Sequence, residues 1–373
     1  MIKNKYSKSK FLIKIPLIVL ICIIILIMPL LTLALNWALN IMIILVCSII
    51  LAIPIVIITM DWSKTASWNL YGIATRLVHA HSPAIVSLDN NGVPVVDYGY
   101  QAGKNIGKQR NPLTIAHKAL AYFEEFSKRR RVSDKEFFFN CIHWLEESEI
   151  DNDSYSLWAY EFDATAYNAS PPFFSALAQT AIMVAFERAF EITLDEHYRQ
   201  IADKAMLALK VPIEQGGVLV TDPRDGGKWY EEYAFGAGRL PTPFVLNGFI
   251  STILYLNDYY IRTGSKQAKS LFDDVVIELK RHLADYDTGY WTYYDREGHL
   301  AYDYHYIHID QMQKLYEITG DTVFKAYHDK WASYFPINPM WARGRFAAYL
   351  LDAAIIFTSF TFIMVIYKIF KIP

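Results

Sequence analysis

Residues 171–193, PPFFSALAQTAIMVAFERAFEIT, followed at once by residues 194–210, LDEHYRQIADKAMLALK, decide the fold. Each segment carries apolar residues at three- and four-residue spacing, which predicts two amphipathic helices. The link between them is too short for anything but an antiparallel return. The pattern repeats downstream: residues 241–264 (PTPFVLNGFISTILYLNDYYIRTG) pair with 265–287 (SKQAKSLFDDVVIELKRHLADYD), and 304–321 (YHYIHIDQMQKLYEITGD) pair with 321–335 (DTVFKAYHDKWASYF). Upstream, residues 112–131 open with Pro112 and place Leu113, Ala116, Leu120 and Phe123 on one stripe. Residues 133–148 open on Ser133 and Glu136, the spacing of a capping box. The endings RAFEIT, YYIRTG and LYEITG resemble one another at the close of the first helix in three successive pairs. A unit of about 40 residues built from a helical hairpin predicts either an open solenoid or a closed α/α toroid.

The ends of the chain are of a different kind. Of 373 residues, 53% are hydrophobic, and the excess sits at the two termini. Ile15 to Thr59 contains no formal charge, enough for two membrane helices of about 20 residues each. Phe346 to Phe370 predicts a third, with Asp352 and Lys368 as its only charges. Lys3, Lys5, Lys8, Lys10 and Lys14 mark the N-terminus as cytoplasmic. The Arg and Lys residues flanking the last span conflict, so the side of the central domain stays open. The expected localisation is therefore integral to the cell membrane. The organisation is a membrane anchor over residues 1–60, a small β-containing segment over 61–111, an α/α toroid over 112–345 and a C-terminal membrane helix over 346–373. The hairpin signal of the β segment is Asn90-Asn91-Gly92 between β-branched runs.

Composition excludes several functions. With 36 Lys+Arg against 38 Asp+Glu, no bulk charge favours nucleic acid. Cys22 and Cys47 lie in the apolar stretches and Cys141 is alone in the domain, which gives neither a disulfide framework nor metal-ligand spacing. No Gly-rich dinucleotide motif follows a strand and no P-loop is present, so no cofactor is expected.

Ionisable and phenolic residues gather where the first helix of a pair begins. Glu231 and Glu232 stand in WYEEY (229–233), Tyr294 in YDTGYWTYYD (286–295), and Tyr304, His305 and His308 in DYHYIHIDQ (303–311). In a toroid those helix ends converge on one face, which favours the closed form. A carboxylate beside Trp229, Tyr230 and Tyr233 would lose water and rise in pKa, as a base requires. His305, His308 or Arg296 would supply the cation that lowers a phenol. The competing reading makes either glutamate a loop carboxylate satisfied by backbone donors, and with 26 tyrosines in the chain a given one is more often core than catalyst. Thr242-Pro243 reads as the N-cap and first residue of the following helix. Lys104, Lys108 and Arg110 offer a small basic patch for an anionic chain.

WYEEY, FVLNGF (244–249), YDTGYWTYYD and DYHYIHIDQ run in the order found in the C-terminal domain of the D-glucuronyl C5-epimerases, which this chain resembles, and PPFFSALAQ (171–179) is similar to a fifth block. The likeness covers about residues 92–334. It implies an isomerase that converts D-glucuronate to L-iduronate within a polysaccharide or its precursor, with Glu232, Tyr304 and Tyr294 as catalytic residues. Arg296, His305, His308, Glu231 and Tyr230 are the substrate-binding candidates. The implied partners are a uronate-containing glycan and membrane lipid, with a homodimer allowed. The loop between Tyr233 and Phe244 is longer than the family pattern and the Tyr294–Tyr304 segment shorter, which puts the accepted glycan in doubt. Two alternatives remain open: a polysaccharide lyase, which uses the same carbanion, and a non-catalytic α/α domain binding glycan or protein in an envelope assembly. A glycosidase is weaker, because adjacent carboxylates cannot straddle a glycosidic bond.

Overall fold

Three of the four helix pairs are joined by the same short device. Thr193, Thr263 and Thr319 end their helices, and each hydroxyl donates to the carbonyl four residues back, at 2.8, 2.7 and 2.7 Å. Each then accepts the backbone N–H two residues on, from Asp195, Ser265 and Asp321. Between them sits one left-handed residue, Leu194, Gly264 or Gly320, at φ 59, 68 and 70°. Asp195, Ser265 and Asp321 in turn cap the next helix through their side chains. The recurrent Thr thus closes one helix and aims the next, which is the physical content of the repeated endings.

The computed structural model describes residues 84–236, 242–301 and 304–334. All of them fall in one compact unit, Thr75–Pro339. The apolar stretches 15–59 and 346–370 lie outside the described residues. Among the described residues no helix is long and apolar enough to cross a membrane.

The described residues form eight α-helices: α1 (Pro112–Arg129), α2 (Val132–Glu147), α3 (Ala176–Thr193), α4 (Glu196–Leu207), α5 (Leu246–Thr263), α6 (Lys266–His282), α7 (Tyr304–Thr319) and α8 (Thr322–Ala332). The chain is mainly helical. α1, α3, α5 and α7 pack against one another in succession, and α2, α4, α6 and α8 back them. α3, flanked by α1 and α5, is buried along most of its length, from Ala176 to Ala189. That explains why its sequence is apolar nearly all round rather than on one stripe. Its two buried charged residues are paired: Arg188 reaches Asp258 on α5 at 2.5 Å and Glu187 meets Arg199 on α4 at 3.3 Å.

The β structure is slight. β1 (Ile85–Leu88) and β2 (Pro94–Asp97) form the expected hairpin, with Ile85 opposite Asp97 and Leu88 opposite Pro94. Asp89 Oδ1 closes the turn by accepting the N–H groups of Asn91 and Val93, both at 2.9 Å. β3 (Tyr100–Gln101) pairs with β4 (Lys104–Asn105), β5 (Lys108–Gln109) joins the edge of β2, and β6 (Ile150–Asp151) pairs with β7 (Ser156–Leu157). β8 (Leu219–Thr221) pairs with β9 (Lys228–Tyr230) and carries the chain into the site.

Two helix starts differ from the sequence reading. α2 begins one residue before Ser133, with Arg131 as its N-cap and no side-chain cap. The first-turn partner is Asp134, whose carboxylate takes the Arg131 Nε at 2.7 Å in place of the expected capping box. α5 begins at Leu246 rather than at Pro243, and Val245 is an N-cap without a side-chain bond. The Leu246 N–H is taken by the Tyr294 carbonyl at 3.0 Å, while Glu231 accepts the Phe244 N–H ahead of the helix at 2.9 Å.

Candidate active site

Trp229 anchors the loop that follows β9. Fully buried, it stacks on Phe249 of α5 at 3.7 Å and lies 6.0 Å from the Tyr286 ring. Glu231 comes next, and its side chain turns inward with no exposure. Its Oε2 accepts the Phe244 N–H at 2.9 Å and its Oε1 the Tyr233 N–H at 3.2 Å. Phe244 holds a left-handed φ of 53° and is pinned on its other side by the Tyr286 hydroxyl, which donates to its carbonyl at 2.6 Å. Burial pushes the Glu231 carboxyl up to about 7, and the backbone donors of Tyr233 and Phe244 hold it from going further. Glu231 is thus the backbone-satisfied carboxylate of the pair, and it is placed to knit the loop to α5 rather than to meet a substrate.

Glu232 faces the opposite way. Its Oε2 is buried with no hydrogen-bond partner. The carboxylate lies on the bare Cα of Gly248 in the first turn of α5, where an added Cβ would sit 2.1 Å from Oε2. The glycine of FVLNGF is therefore the floor on which the carboxylate rests. Burial first, then the neighbouring Glu231 charge, push Glu232 up to about 8. A carboxyl in that range exchanges protons near neutrality, as a general acid or base must.

Phenols surround it. Tyr233, Tyr294 and Tyr160 all feel the Glu232 charge. The Tyr233 and Tyr294 side chains are hydrogen-bonded to each other. Tyr294 meets Tyr304 edge to face at 5.0 Å, and Tyr304, the first residue of α7, is 42% exposed. Burial raises both Tyr233 and Tyr294 well above the ordinary phenol value, so these two hydroxyls are protonated and able to donate. Phe173 stacks on Tyr160 at 4.6 Å and on Tyr233 at 5.9 Å, walling the cluster with carbon. The structure therefore brings Glu232, Tyr294 and Tyr304 together.

The remaining sequence candidates lie elsewhere. Tyr230 is 1% exposed and packs at 6.1 Å from Phe249. Arg296 is drawn inward: its Nη1 is ion-paired with Asp222, and its guanidinium lies 4.3 Å from the Phe244 ring and 4.9 Å from the Trp229 ring. It braces the loop, and its Nε and Nη2 are buried with no hydrogen-bond partner. His305 and His308 are both buried and share Thr292, whose hydroxyl is 2.9 Å from each Nδ1. His305 Nε2 donates to the Trp331 carbonyl at 3.1 Å. Its Nδ1 must therefore accept the Thr292 proton, and the Thr292 oxygen accepts from His308 Nδ1. Burial lowers His305 to about 4 and His308 to about 3, so neither supplies the cation that the sequence reading assigned to them. Of the basic patch, Lys104 is paired with Asp163 at 3.1 Å and Arg110 with Asp89 at 2.5 Å.

Sequence reasoning missed Tyr233, Gly248 and Tyr160 as members of this cluster. The signal for the first two was present in WYEEY and FVLNGF. Nothing in the sequence marks Tyr160 apart from other core tyrosines. Two groups of side chains among the described residues could gather round a cation, Asp222/Asp225/Glu278/His282 and Asp295/Glu297/His299. Arg224, Arg281 and Arg296 already neutralise the first.

A mainly helical domain that carries a carboxylate of raised pKa with one unpartnered oxygen among protonated phenols defines a class of site suited to moving protons. Residues 151–333 match the family model of the D-glucuronyl C5-epimerase C-terminus, and the chain belongs to that C-terminal-domain family. It is 32% identical over 284 residues to an uncharacterized protein of Methanocaldococcus jannaschii, covering 71% of this chain and 91% of that one. It is 30% identical over 228 residues to the D-glucuronyl C5-epimerase of Caenorhabditis elegans, covering 55% of this chain and 36% of that one. The chain thus spans about a third of the length of the nematode relative. Among solved structures it is similar to cellobiose 2-epimerase from Bacillus thermoamylovorans (TM-score 0.46, 12% identity, 65% of each chain). It is also similar to a GH76 α-mannanase of Bacteroides thetaiotaomicron (TM-score 0.42, 16% identity, 65% of this chain and 62% of that one).

Proposed function

We propose that the protein is a membrane-anchored uronyl C5-epimerase built on an α/α toroid, inverting C5 of D-glucuronate to L-iduronate in a polysaccharide or its precursor. The observation that carries this reading is Glu232: a carboxylate with a buried, unpartnered oxygen, raised to about 8, beside protonated phenols. The C5 proton lies α to a carboxylate and is weakly acidic, so its removal needs a base whose own proton is held comparably tightly. Glu232 takes that proton, and the electron pair left on C5 spreads into the substrate carboxylate as an enediolate. Tyr304, assisted by Tyr294, returns a proton from the opposite face, and the electron pair re-forms the C5–H bond. One proton leaves and one arrives, so no oxidant or reductant is consumed. The tyrosinate and the protonated glutamate then exchange with solvent, which the exposed edge of Tyr304 admits.

Family membership supports the reaction class, and the matched residues 151–333 contain every group named in this mechanism. The reading is tested by incubating the full chain in detergent with unsulfated glucuronate polymers and following the sugar by proton NMR. New iduronate signals are expected. An unsaturated uronate absorbing in the ultraviolet would instead assign a lyase, and unchanged polymer on every uronan would leave a binding domain.

A further inference from the structure

The joint threonines put the inner helices in register, and in that register one seam departs from its neighbour. Six residues before Thr193, Thr263 and Thr319 stand Glu187, Asn257 and Gln313, and the next positions are Arg188, Asp258 and Lys314. Between α3 and α5 the seam is closed by Arg188, which reaches Asp258 at 2.5 Å. The same step from α5 to α7 would join Asp258 to Lys314, but both Asp258 oxygens are already taken, Oδ2 by Arg188 and Oδ1 by Arg262 at 3.2 Å. Lys314 has no acidic partner among the described residues and stands at the edge of an open cleft. The other position behaves alike. Glu187 meets Arg199 and Gln313 donates to Glu317 at 2.8 Å, whereas the Asn257 amide has no hydrogen-bond partner among the described residues.

Near the catalytic cluster α5 and α7 are tied together by Gln311, whose Nε2 donates to the Asn247 carbonyl at 2.8 Å and to Ser251 Oγ at 2.9 Å. Beyond that tie the two helices flank a cleft of about 330 Å³. Small-molecule sites are on the order of 300–1,000 Å³. Tyr255, Ile261 and Ile318 give the cleft apolar walls, and Ile261 is 69% exposed. Asn257 lines it and is only 9% exposed. Asparagine is a poor residue for a helix interior, and a buried amide without a partner costs stability, so packing alone would favour an aliphatic side chain there. At 1.5 Å per residue Asn257 lies about 14 Å along α5 from Gly248, so the cleft is separate from the Glu232 cluster while sharing the two helices that carry Gly248 and Tyr304.

We propose that the α5–α7 cleft is a second sugar-binding site, taking an uncharged pyranose unit of the glycan away from the reacting uronate. The groups present match that ligand. The Asn257 amide donates and accepts, the Lys314 ammonium donates only and the Glu317 carboxylate accepts only, which together serve neighbouring hydroxyls. The C–H face of the ring packs on Tyr255, Ile261 and Ile318. Charge favours a neutral unit: Lys314 and Glu317 offset each other, and Asp258 is offset by Arg188 and Arg262. A purely apolar occupant would leave Asn257 unsatisfied, and a phosphate or carboxylate would meet Glu317 and Asp258. The site rests on the epimerase reading only for the identity of the rest of the glycan. Its gain for a long chain is that of a second contact on one ligand, so it favours polymer over short sugars.

The test is titration calorimetry of the full chain in detergent with an unsulfated glucuronate–N-acetylglucosamine disaccharide and with an octasaccharide of the same repeat, for the native protein, Asn257→Leu and Lys314→Ala. The native protein should bind the octasaccharide about tenfold more tightly than the disaccharide, the worth of a hydrogen bond or two made in the cleft. Asn257→Leu should bring that ratio close to one and at the same time raise the melting temperature, because it removes a buried amide that has no partner. Lys314→Ala, which truncates an exposed side chain, should lower the ratio in part. The ratio is read in one preparation, so partial unfolding cancels. A ratio unchanged in both variants overturns the proposal, and so does a native protein without length preference. A native oligomer that Asn257→Leu dissociates, seen by sedimentation, would assign the cleft to a second copy of the chain and overturn it too. Deuterium exchange at C5 is measured in parallel: no exchange together with an Asn257-dependent ratio would sink the epimerase reading and keep the cleft, whereas exchange with an unaltered ratio would do the reverse.

Discussion

Substituting Gly248 with alanine should separate activity from stability. The added Cβ would lie 2.1 Å from Glu232 Oε2, 2.8 Å from its Cβ and 2.9 Å from its Cδ, where ordinary contact begins at 3.4 Å. The carboxylate must therefore retreat by roughly 3.4 − 2.1 = 1.3 Å, since the neighbour it meets is a short side chain seated on the helix. A displacement of about 1 Å in a proton-transfer site costs on the order of a hundredfold in rate. The helix itself gains, because alanine is favoured over glycine within a helix by up to about 1 kcal/mol. Gly248→Ala should thus leave the melting temperature unchanged or slightly raised while C5 exchange falls about a hundredfold, mostly in kcat. Single-turnover deuterium exchange and thermal unfolding of the same preparation measure both. Full activity in a normally folded Gly248→Ala protein would refute the placement of Glu232 on α5.

Other consequences follow from the same geometry. Since Glu232 is raised to about 8, the ionised, proton-accepting form is only about a tenth of the total at pH 7, and exchange should rise with pH and level off above 8. The stability linkage has the opposite sign. A carboxyl raised in the folded state gives a contribution that is full below its unfolded value and lost as pH climbs through about 8, so the native protein should melt lower at pH 9 than at pH 6, and Glu232→Gln should reduce that difference. Thr292→Val removes the hydroxyl shared by His305 and His308 and should cost about 1–3 kcal/mol, read as a lower melting temperature, whereas Thr292→Ser should approach native behaviour. Leu194 occupies the left-handed link where the two equivalent joints use glycine, with its side chain 75% exposed. Leu194→Gly should therefore stabilise by about 1 kcal/mol with no change in activity.

Much of this was legible in the sequence because it depends on short-range chemistry. The apolar stripes located all eight helices, and the Thr-x-Asp/Ser endings that recur in three pairs proved to be the joints between helices. The block WYEEY announced the loop that carries Glu232. What could not be read depended on groups brought together from far apart. The distinction between Glu231 and Glu232 is made by Phe244, which donates to one of them across the loop, and by Gly248, which receives the other. Thr242 was a reasonable cap by its neighbours, yet α5 starts beyond it, because Phe244 holds a left-handed φ and the Tyr294 carbonyl takes the Leu246 N–H. Arg296 looked like a turn arginine open to a ligand, and the sandwich of Trp229 and Phe244 that draws it inward exists only in the folded chain.

The most direct test of the account is C5–H exchange in deuterated water on a glucuronate polymer, comparing the native protein with Glu232→Gln and Tyr304→Phe. The account predicts that the native protein incorporates deuterium at C5 in both product and recovered substrate, that Glu232→Gln incorporates none from glucuronate, and that Tyr304→Phe forms no iduronate. Undiminished exchange in a folded Glu232→Gln protein would contradict it.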